Sequence, residues 1–128
     1  MKRVLVTDNI AAEGVEVLKK TPGIEVDVMP NLSPDKLKEI IKNYDGLAIR
    51  SATKVTSEII DHAEKLSIVG RAGTGLDNVD IIAATKKGIV VMNTPGGNTV
   101  TAGEHAIVMM LSLIRKIPQA TASMKAGK

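Results

Sequence analysis

A glycine-rich stretch, GRAGTGLDNVD at residues 70–80, follows a short apolar run and precedes a segment typical of a helix. The dinucleotide-binding fingerprint is G-x-G-x-x-G, with an acidic residue about 20 residues further on. The spacing here is Gly70-x-x-Gly73-x-Gly75, and the next predicted strand ends in Asn93. Neither a G-x-G-x-x-G nor a P-loop sequence occurs elsewhere in the chain. The stretch is therefore rich in glycine without matching a nucleotide-binding loop.

Such a loop can instead expose backbone N–H groups, because glycine lets the main chain approach a ligand closely and consecutive amides can hold an anion. Arg71 leads into the loop, and Arg50 ends the neighbouring predicted strand with Ser51 beside it. Guanidinium groups and free amides suit a carboxylate or a phosphate. Two interpretations stay open on spacing alone: an anion site, or solvated arginines beside glycines that only make turns.

Other chemically active groups are sparse. His62 and His105 lie in predicted helices without a carboxylate or Cys partner at metal-ligand spacing, so both are interpreted as structural and no metal site is expected. The absence of Cys excludes disulfides and thiolate metal sites. Tyr44 is the only aromatic residue, so the chain lacks a stacking platform for single-stranded nucleic acid. We expect no nucleic-acid partner.

The composition predicts a single globular domain. The 128 residues are 44% hydrophobic and 24% charged, with a mild net charge of +3, which is ordinary for such a domain. No apolar run approaches the roughly 20 residues of a membrane span, and the N-terminus resembles a strand rather than a signal peptide. A cytoplasmic location without a membrane partner is expected.

Short apolar runs alternate with amphipathic segments along the chain. Five strands are predicted, at residues 3–7, 24–29, 46–50, 67–71 and 89–93. Several are apolar throughout, as strands buried on both faces of a parallel sheet tend to be. Four helices are predicted between them: one over 11–20, one with Ser33 as N-cap and Pro34 as its first residue, one from about Thr56, and one from Asp80 to just before Gly88.

A fifth helix is predicted to begin at a capping box formed by Thr101 and Glu104 and to end just before Pro118. Five strands and five helices in alternation indicate an α/β fold, a doubly wound five-stranded parallel sheet with flanking helices. Ligands of such sheets bind at the carboxyl ends of the strands. The arginines and glycines described above stand at these ends, as do Asp8 and Asn93.

Three stretches together resemble a known family: RSATKVT at 50–56, GRAGTGLDNVD at 70–80 and NTPGGN at 93–98. They are similar to those of the D-isomer-specific 2-hydroxyacid dehydrogenases, and the resemblance covers essentially the whole chain. It implies a flavodoxin-like substrate-binding domain over residues 1–100, and a helix and tail over 101–128 that lead to an NAD-binding domain. The most similar branch oxidises 3-phosphoglycerate to 3-phosphohydroxypyruvate with NAD, in serine biosynthesis.

The resemblance also implies roles for residues at the substrate. Arg50 and Ser51 are expected to face the anionic end of 3-phosphoglycerate. The backbone amides around Ala72 and Gly73 are expected to hold its carboxylate, and Arg71 is a weaker candidate for the phosphate. These roles agree with the anion site that the residue types allow.

By the same resemblance, Thr74 approaches the cofactor and Asn98 lies near the substrate or the nicotinamide. The family's nucleotide loop, catalytic Arg and His–Glu pair have no counterpart in these 128 residues; Glu104 and His105 belong to the fifth helix and are not that pair. No catalytic residue is assigned, and we expect NAD to bind the full-length family enzyme but not this fragment, which should be inactive. The alternative is a stand-alone small-anion-binding or interaction domain, or a truncated fold without activity.

The fifth helix keeps an apolar face although its family partners are missing. Ile107, Val108, Leu111 and Ile114 share this face, and a large bare apolar patch is unusual on a monomer. Two states are predicted: a monomer whose helix folds back onto the sheet, or a homodimer that pairs or exchanges its helices.

Overall fold

The computed structural model describes residues 1–128 and contains five strands. They are β1 Lys2–Val6, β2 Ile24–Val28, β3 Gly46–Ile49, β4 Ile68–Arg71 and β5 Val90–Met92. Each predicted strand is confirmed, with its ends within one residue of the predicted ones. The sheet order is β2-β1-β3-β4-β5 with every pair parallel. This confirms the doubly wound parallel sheet, whose direction of winding reverses between β1 and β3.

Four helices connect the strands. They are α1 Ala12–Lys20, α2 Pro34–Ile40, α3 Ser57–His62 and α4 Ile81–Lys86, and a single 3₁₀ turn, Ile41–Asn43, follows α2. The N-caps predicted at Ser33 and Asp80 are confirmed, and Thr56 caps the helix that was predicted to begin near it. The side-chain oxygen of each accepts a hydrogen bond from the backbone N–H three residues further on. Gly88 has φ 75°, the left-handed conformation expected after the end of α4.

The core lies on one face of the sheet. Leu5, Leu47, Val69 and Val91 are paired in register across four adjacent strands. The first three belong to a single apolar cluster, and the partly buried Val91 packs against it. Helices α2, α3 and α4 pack side by side, and their buried residues join that cluster. Side chains alternate between the faces of a sheet, so the next residues along each strand, Val6, Ala48, Gly70 and Met92, point to the other face.

Residues 1–95 form one compact unit and residues 96–128 a second. The second unit contains α5 Thr99–Ile114 and α6 Ile117–Lys125, neither of which has a buried residue. None of the helices in the chain combines the length and hydropathy that a membrane span requires.

The predicted ends of the fifth helix are wrong. Its N-cap is Asn98, so Thr101 and Glu104 lie within the helix rather than forming a capping box. It ends at Ile114 because Lys116 adopts a left-handed φ of 51°. The expected tail instead begins as α6, with Pro118 in its first turn, where proline leaves no helical hydrogen bond unmade. Proline thus starts a helix here rather than ending the previous one.

Candidate anion-binding site at the carboxyl edge of the sheet

The parallel register of β1 and β3 brings Asp8 beside Arg50. Val6 pairs with Ala48, so the residues two positions further along each strand leave the sheet together. The Asp8 carboxylate accepts hydrogen bonds from Arg50 N at 2.6 Å, from Thr53 N at 3.1 Å and from Thr53 Oγ1 at 2.5 Å. Asp8 therefore holds the N–H groups of the segment 50–53, which follows β3.

Buried hydroxyl groups extend this contact. Thr7, fully buried, lies with its Oγ1 2.9 Å from Thr53 Oγ1. An ionised carboxylate only accepts hydrogen bonds, so Thr53 donates to Asp8 and Thr7 donates to Thr53. Burial opposes the ionisation of Asp8, but the hydrogen bonds donated by the Thr53 side chain and by backbone N–H groups of the loop outweigh it and hold the pKa of Asp8 below its ordinary value. Asp8 is thus ionised at neutral pH.

Asn78 and Arg71 hold the carbonyl side of the same segment. Asn78 Nδ2 donates to Arg50 O at 2.7 Å and to Thr53 O at 2.6 Å, and Arg71 Nε donates to Arg50 O at 3.3 Å. A parallel bridge between Val55 and the residue after Asn78 keeps the two segments together. The segment 50–53 is therefore bonded on both its N–H and its carbonyl groups.

The side chains of Arg50 and Ser51 are exposed. Arg50 Nη1 donates to Asn9 O at 3.1 Å, a contact that leaves the other guanidinium N–H groups available to an anion. The structure thus presents these two predicted site residues at the edge of the sheet, on a segment whose backbone is fixed.

The amides of Ala72 and Gly73 differ from the sequence prediction, because both are already engaged. Ala72 N donates to Ile49 O at 2.8 Å, which continues the ladder between β3 and β4, and Gly73 N donates to Arg71 O at 2.9 Å in a tight turn. Gly73 O accepts from Thr94 N at 3.0 Å. In this conformation neither N–H is free to hold a carboxylate.

Arg71 fills the inside of the glycine-rich loop. Its side chain is 10% exposed and its Nη1 lies 3.4 Å from Asp77 Oδ1. A Cβ on Gly75 would stand 2.7 Å from Arg71 Nη1 and 2.9 Å from Asp77 Oδ1. A side chain at position 75 would therefore displace the ends of Arg71 and Asp77, and the predicted phosphate role of Arg71 competes with its role in holding the loop.

A depression of about 210 Å³ lies at the ends of the central strands, on the face away from the core. Its lining residues are Ile10, Ala48, Gly70, Arg71, Ala72, Met92, Asn93 and Thr94. Asn93 Nδ2 donates to Thr74 O at 2.7 Å across the adjacent loops. The volume suits a small acid. A dinucleotide does not fit these residues, because the glycine loop is closed on Arg71 and the amides that would meet a pyrophosphate are bonded internally.

The remaining predicted residues lie elsewhere. Asn98 is the N-cap of α5 and belongs to the second unit. His62 Nδ1 is 2.8 Å from Glu58 O, one turn earlier in α3, which fits the structural role predicted for it. No group of three or more His, Asp or Glu side chains is arranged to hold a metal ion.

Asp8, Thr53 and Asn78 are functional residues for which the sequence predicts no role. Asp8 carried a usable signal, since it is an acidic residue that directly follows an apolar strand at the ligand-binding edge. Thr53 and Asn78 carried none of their own, because their contacts depend on how two loops pair.

The chain is similar to known proteins over nearly its whole length. The catalytic-domain profile of the D-isomer specific 2-hydroxyacid dehydrogenases matches residues 4–126. D-3-phosphoglycerate dehydrogenase of Sus scrofa is 52% identical over 128 residues, and that of Archaeoglobus fulgidus is 48% identical over 126 residues. The chain spans about a quarter of the length of these relatives, 24% of each.

Solved structures show the same fold. The PH0520 protein of Pyrococcus horikoshii OT3 superimposes with a TM-score of 0.85 at 31% identity, over 99% of this chain and 38% of that protein. An NAD⁺-bound 3-phosphoglycerate dehydrogenase of Entamoeba histolytica superimposes with a TM-score of 0.73 at 37% identity, over 87% of this chain and 38% of that one. Since the family profile matches nearly its whole length, the chain belongs to the D-isomer specific 2-hydroxyacid dehydrogenases, a family of oxidoreductases.

Proposed function

We propose that this chain is the substrate-binding part of an NAD-dependent dehydrogenase that oxidises 3-phosphoglycerate to 3-phosphohydroxypyruvate in serine biosynthesis. Arg50 and Ser51 bind the anionic end of the substrate, with Arg71 as a weaker contact and Thr74 and Asn98 towards the cofactor. The observation that carries the proposal is the exposed Arg50 guanidinium on a backbone fixed by Asp8 and Asn78.

The chemistry of the substrate supports this choice. 3-Phosphoglycerate carries a carboxylate and a phosphate, and guanidinium groups bind both through charge-assisted hydrogen bonds. The relatives with about half of their residues identical to this chain are named D-3-phosphoglycerate dehydrogenases. NAD supplies the hydride acceptor in the reaction, and its dinucleotide site does not belong to these 128 residues.

We further propose that the 128 residues alone bind the acid weakly and do not turn it over. Hydride transfer needs a bound nicotinamide and a group that takes the hydroxyl proton, and no residue of this chain is assigned to either role. A dissociation constant in the millimolar range, about −4 kcal/mol, is expected for the site without a second domain closing over it. The cytoplasmic location expected from the sequence stays a prediction.

The test is a titration of the ¹⁵N-labelled chain with 3-phosphoglycerate, followed by amide chemical shifts. We expect saturable shifts at residues 50–53, and at least a fivefold weaker affinity in Arg50→Ala. Lys65→Ala is the matched control, because it removes one exposed positive charge ahead of β4, at the opposite edge of the sheet.

Equal loss of affinity in both variants would mean that net charge, rather than Arg50, attracts the acid. A parallel assay for NADH formation addresses turnover: a rate above background from the pure chain would contradict the proposed inactivity. Saturable binding of 3-phosphoglycerate at other residues only would support the alternative, a stand-alone anion-binding domain.

A further inference from the structure

We propose that Asp8 is a positioning residue for the anion site: its carboxylate fixes the backbone of Arg50 and Ser51 before any ligand arrives, and anion affinity depends on it although it repels the ligand. The inference rests on the proposed function of Arg50, since it concerns the affinity of that site.

The argument starts from the charge of Asp8. A carboxylate close in space to an anion-binding arginine opposes anion binding by Coulomb repulsion. Asp8 is 6% exposed, so its charge carries a desolvation cost as well. Such a group is tolerated where its hydrogen bonds outweigh both effects, and the N–H groups of Arg50 and Thr53 together with the Thr53 hydroxyl group supply them.

The carbonyl groups of the segment 50–53 are also held in place, by hydrogen bonds from Asn78. Both amide hydrogens of Asn78 are directed at carbonyl oxygens of the segment 50–53, while its Oδ1 is buried without a hydrogen-bond partner. The flipped amide would point that oxygen at two carbonyl oxygens, so the observed orientation is the only acceptable one. A buried acceptor left unpaired is unfavourable, and it persists here because the two bonds to the segment require it.

Fixing the segment matters because Arg50 and Ser51 are themselves exposed. An exposed loop that orders only on binding loses affinity through the conformational entropy it gives up. Asp8 removes that loss for the backbone of the segment, leaving only the Arg50 side chain to be ordered by the ligand. The backbone is bonded on both sides in the absence of any ligand.

The test compares two Asp→Asn variants of the 128-residue chain at pH 7, with 3-phosphoglycerate and inorganic phosphate as probes. Asp8→Asn removes the carboxylate under the segment. Asp27→Asn is the matched control, because Asp27 is a partly buried carboxylate within β2 that accepts from Arg3 and Tyr44 instead. Both variants raise the net charge by one, which by itself strengthens anion binding.

We expect Asp8→Asn to weaken binding of both probes at least tenfold, against the direction of the charge change, and to lower the exchange protection of the Arg50 and Thr53 amides, because asparagine keeps only one uncharged acceptor oxygen. Asp27→Asn should leave both readouts within twofold of the parent chain. Unchanged or tighter binding in Asp8→Asn would overturn the proposal, as would equal weakening in the two variants.

Thr53→Val and Thr53→Ser keep the test decisive if Asp8→Asn does not fold. Valine matches threonine in shape and lacks the hydroxyl that donates to Asp8, whereas serine retains it. We expect weaker binding in Thr53→Val and near-parent binding in Thr53→Ser; equal affinities in the two would contradict the role of Asp8. If the parent chain binds neither probe, the proposed function fails, and the amide exchange of Arg50 alone decides whether Asp8 fixes the segment: retained protection in Asp8→Asn overturns it.

Discussion

The two units of the chain differ in how far their apolar side chains are exposed to solvent. In residues 1–95, Leu5, Ile49 and Val69 are 0% exposed and belong to one core cluster. In residues 96–128 no side chain is buried, and Leu111 and Ile114 are 54% and 73% exposed. The first unit therefore holds the apolar burial of the described chain, and the second presents apolar surface to its surroundings.

The two units are therefore stabilised in different ways, the first by burial of apolar side chains and the second by the intrinsic helix propensity of its residues. Burial stabilises the first unit by about 25 cal/mol for each Å² of apolar area removed from water. The helices of the second unit depend on intrinsic propensity, and α6 has 9 residues, fewer than the roughly 12 to 15 at which isolated helices become even marginally stable in water. A contiguous apolar surface of this kind is typical of an interaction site.

The largest expected effect comes from matched Ile→Ala changes in the two units. Ile49→Ala removes a fully buried side chain and should lower the free energy of unfolding by about 3 kcal/mol, because lost burial and a cavity act together. Ile107→Ala, at a side chain that is 55% exposed, should change it by less than about 0.5 kcal/mol. Urea denaturation followed by circular dichroism measures both, and similar losses in the two variants would contradict the contrast.

The strands and most helix starts of the first unit were predictable from the sequence because local signals agree with tertiary structure there. Ser33 and Asp80 cap the helices that they were predicted to cap, and Thr56 caps the helix predicted to begin near it. The ends of α5 were not predictable in this way, because Thr101 and Glu104 form a capping-box pattern inside a helix that already begins at Thr99. A pattern of two residues cannot distinguish a helix start from a helix interior when the preceding residues also favour the helix.

At the candidate site, the sequence predicted which side chains lie at the strand ends better than it predicted which backbone N–H groups are free. Arg50 and Ser51 could be placed at the strand ends because the order of strands fixes that edge of the sheet. Whether the N–H groups of Ala72 and Gly73 are free to bind a ligand could not be predicted from the sequence. It depends on whether the hydrogen bonds between β3 and β4 continue past the end of β4, and they do. The contacts of Asp8 depend on the register between β1 and β3, which no local sequence signal specifies.

The second expected effect is an acid-dependent loss of stability confined to the first unit. The folded-state pKa of Asp8 lies below its ordinary value, so the stabilisation is fully present above the unfolded-state pKa of about 3.9 and is lost as pH falls through the folded-state pKa. Asp8→Asn should destabilise the chain by about 1 to 3 kcal/mol at pH 7, because the donors in the 50–53 segment lose a charged acceptor with two oxygens and keep only one uncharged amide oxygen. The difference from the parent chain should shrink below about pH 4.

Urea denaturation at pH 7 and at pH 3 measures this difference. Asp35→Asn serves as the control, because Asp35 is an exposed residue whose side chain is 91% exposed and should contribute within about 0.5 kcal/mol at either pH. A difference between Asp8→Asn and the parent chain that is the same at both pH values would contradict the ionised state of Asp8 in the folded chain.

A smaller effect is expected within the glycine-rich loop. Gly75→Ala places a Cβ 2.7 Å from Arg71 Nη1 and should lower the free energy of unfolding by about 1 kcal/mol, since the guanidinium must move. Gly73→Ala places its Cβ at 3.7 Å from the same group, an ordinary contact, and should be nearly neutral. Thermal unfolding compares the two, and equal melting temperatures would show that Arg71 does not constrain the loop.

The smallest expected effect on stability, and the most informative one on association, is that of Leu111→Asp. Leu111 is 54% exposed in the single chain, so at concentrations where the chain is monomeric the charge should change the free energy of unfolding by less than about 0.5 kcal/mol. The same charge lies on the apolar face of α5 formed with Ile107, Val108 and Ile114, and it should disrupt any association of two such faces. Sedimentation velocity over a hundredfold range of concentration measures this change in association directly.

The two states predicted from the sequence give opposite results in this experiment. A homodimer through α5 requires the parent chain to sediment as a dimer, either at every concentration or increasingly as its concentration rises, and Leu111→Asp to remain monomeric throughout. A monomer with a folded-back helix requires concentration-independent sedimentation of the parent chain and a loss of stability in Leu111→Asp well above 0.5 kcal/mol, since a buried leucine then becomes charged. Gln119→Asp is the control, because it adds the same charge at an exposed polar position in α6. We expect the first result, since an exposed apolar helix face in a folded chain is covered most directly by a second copy of itself.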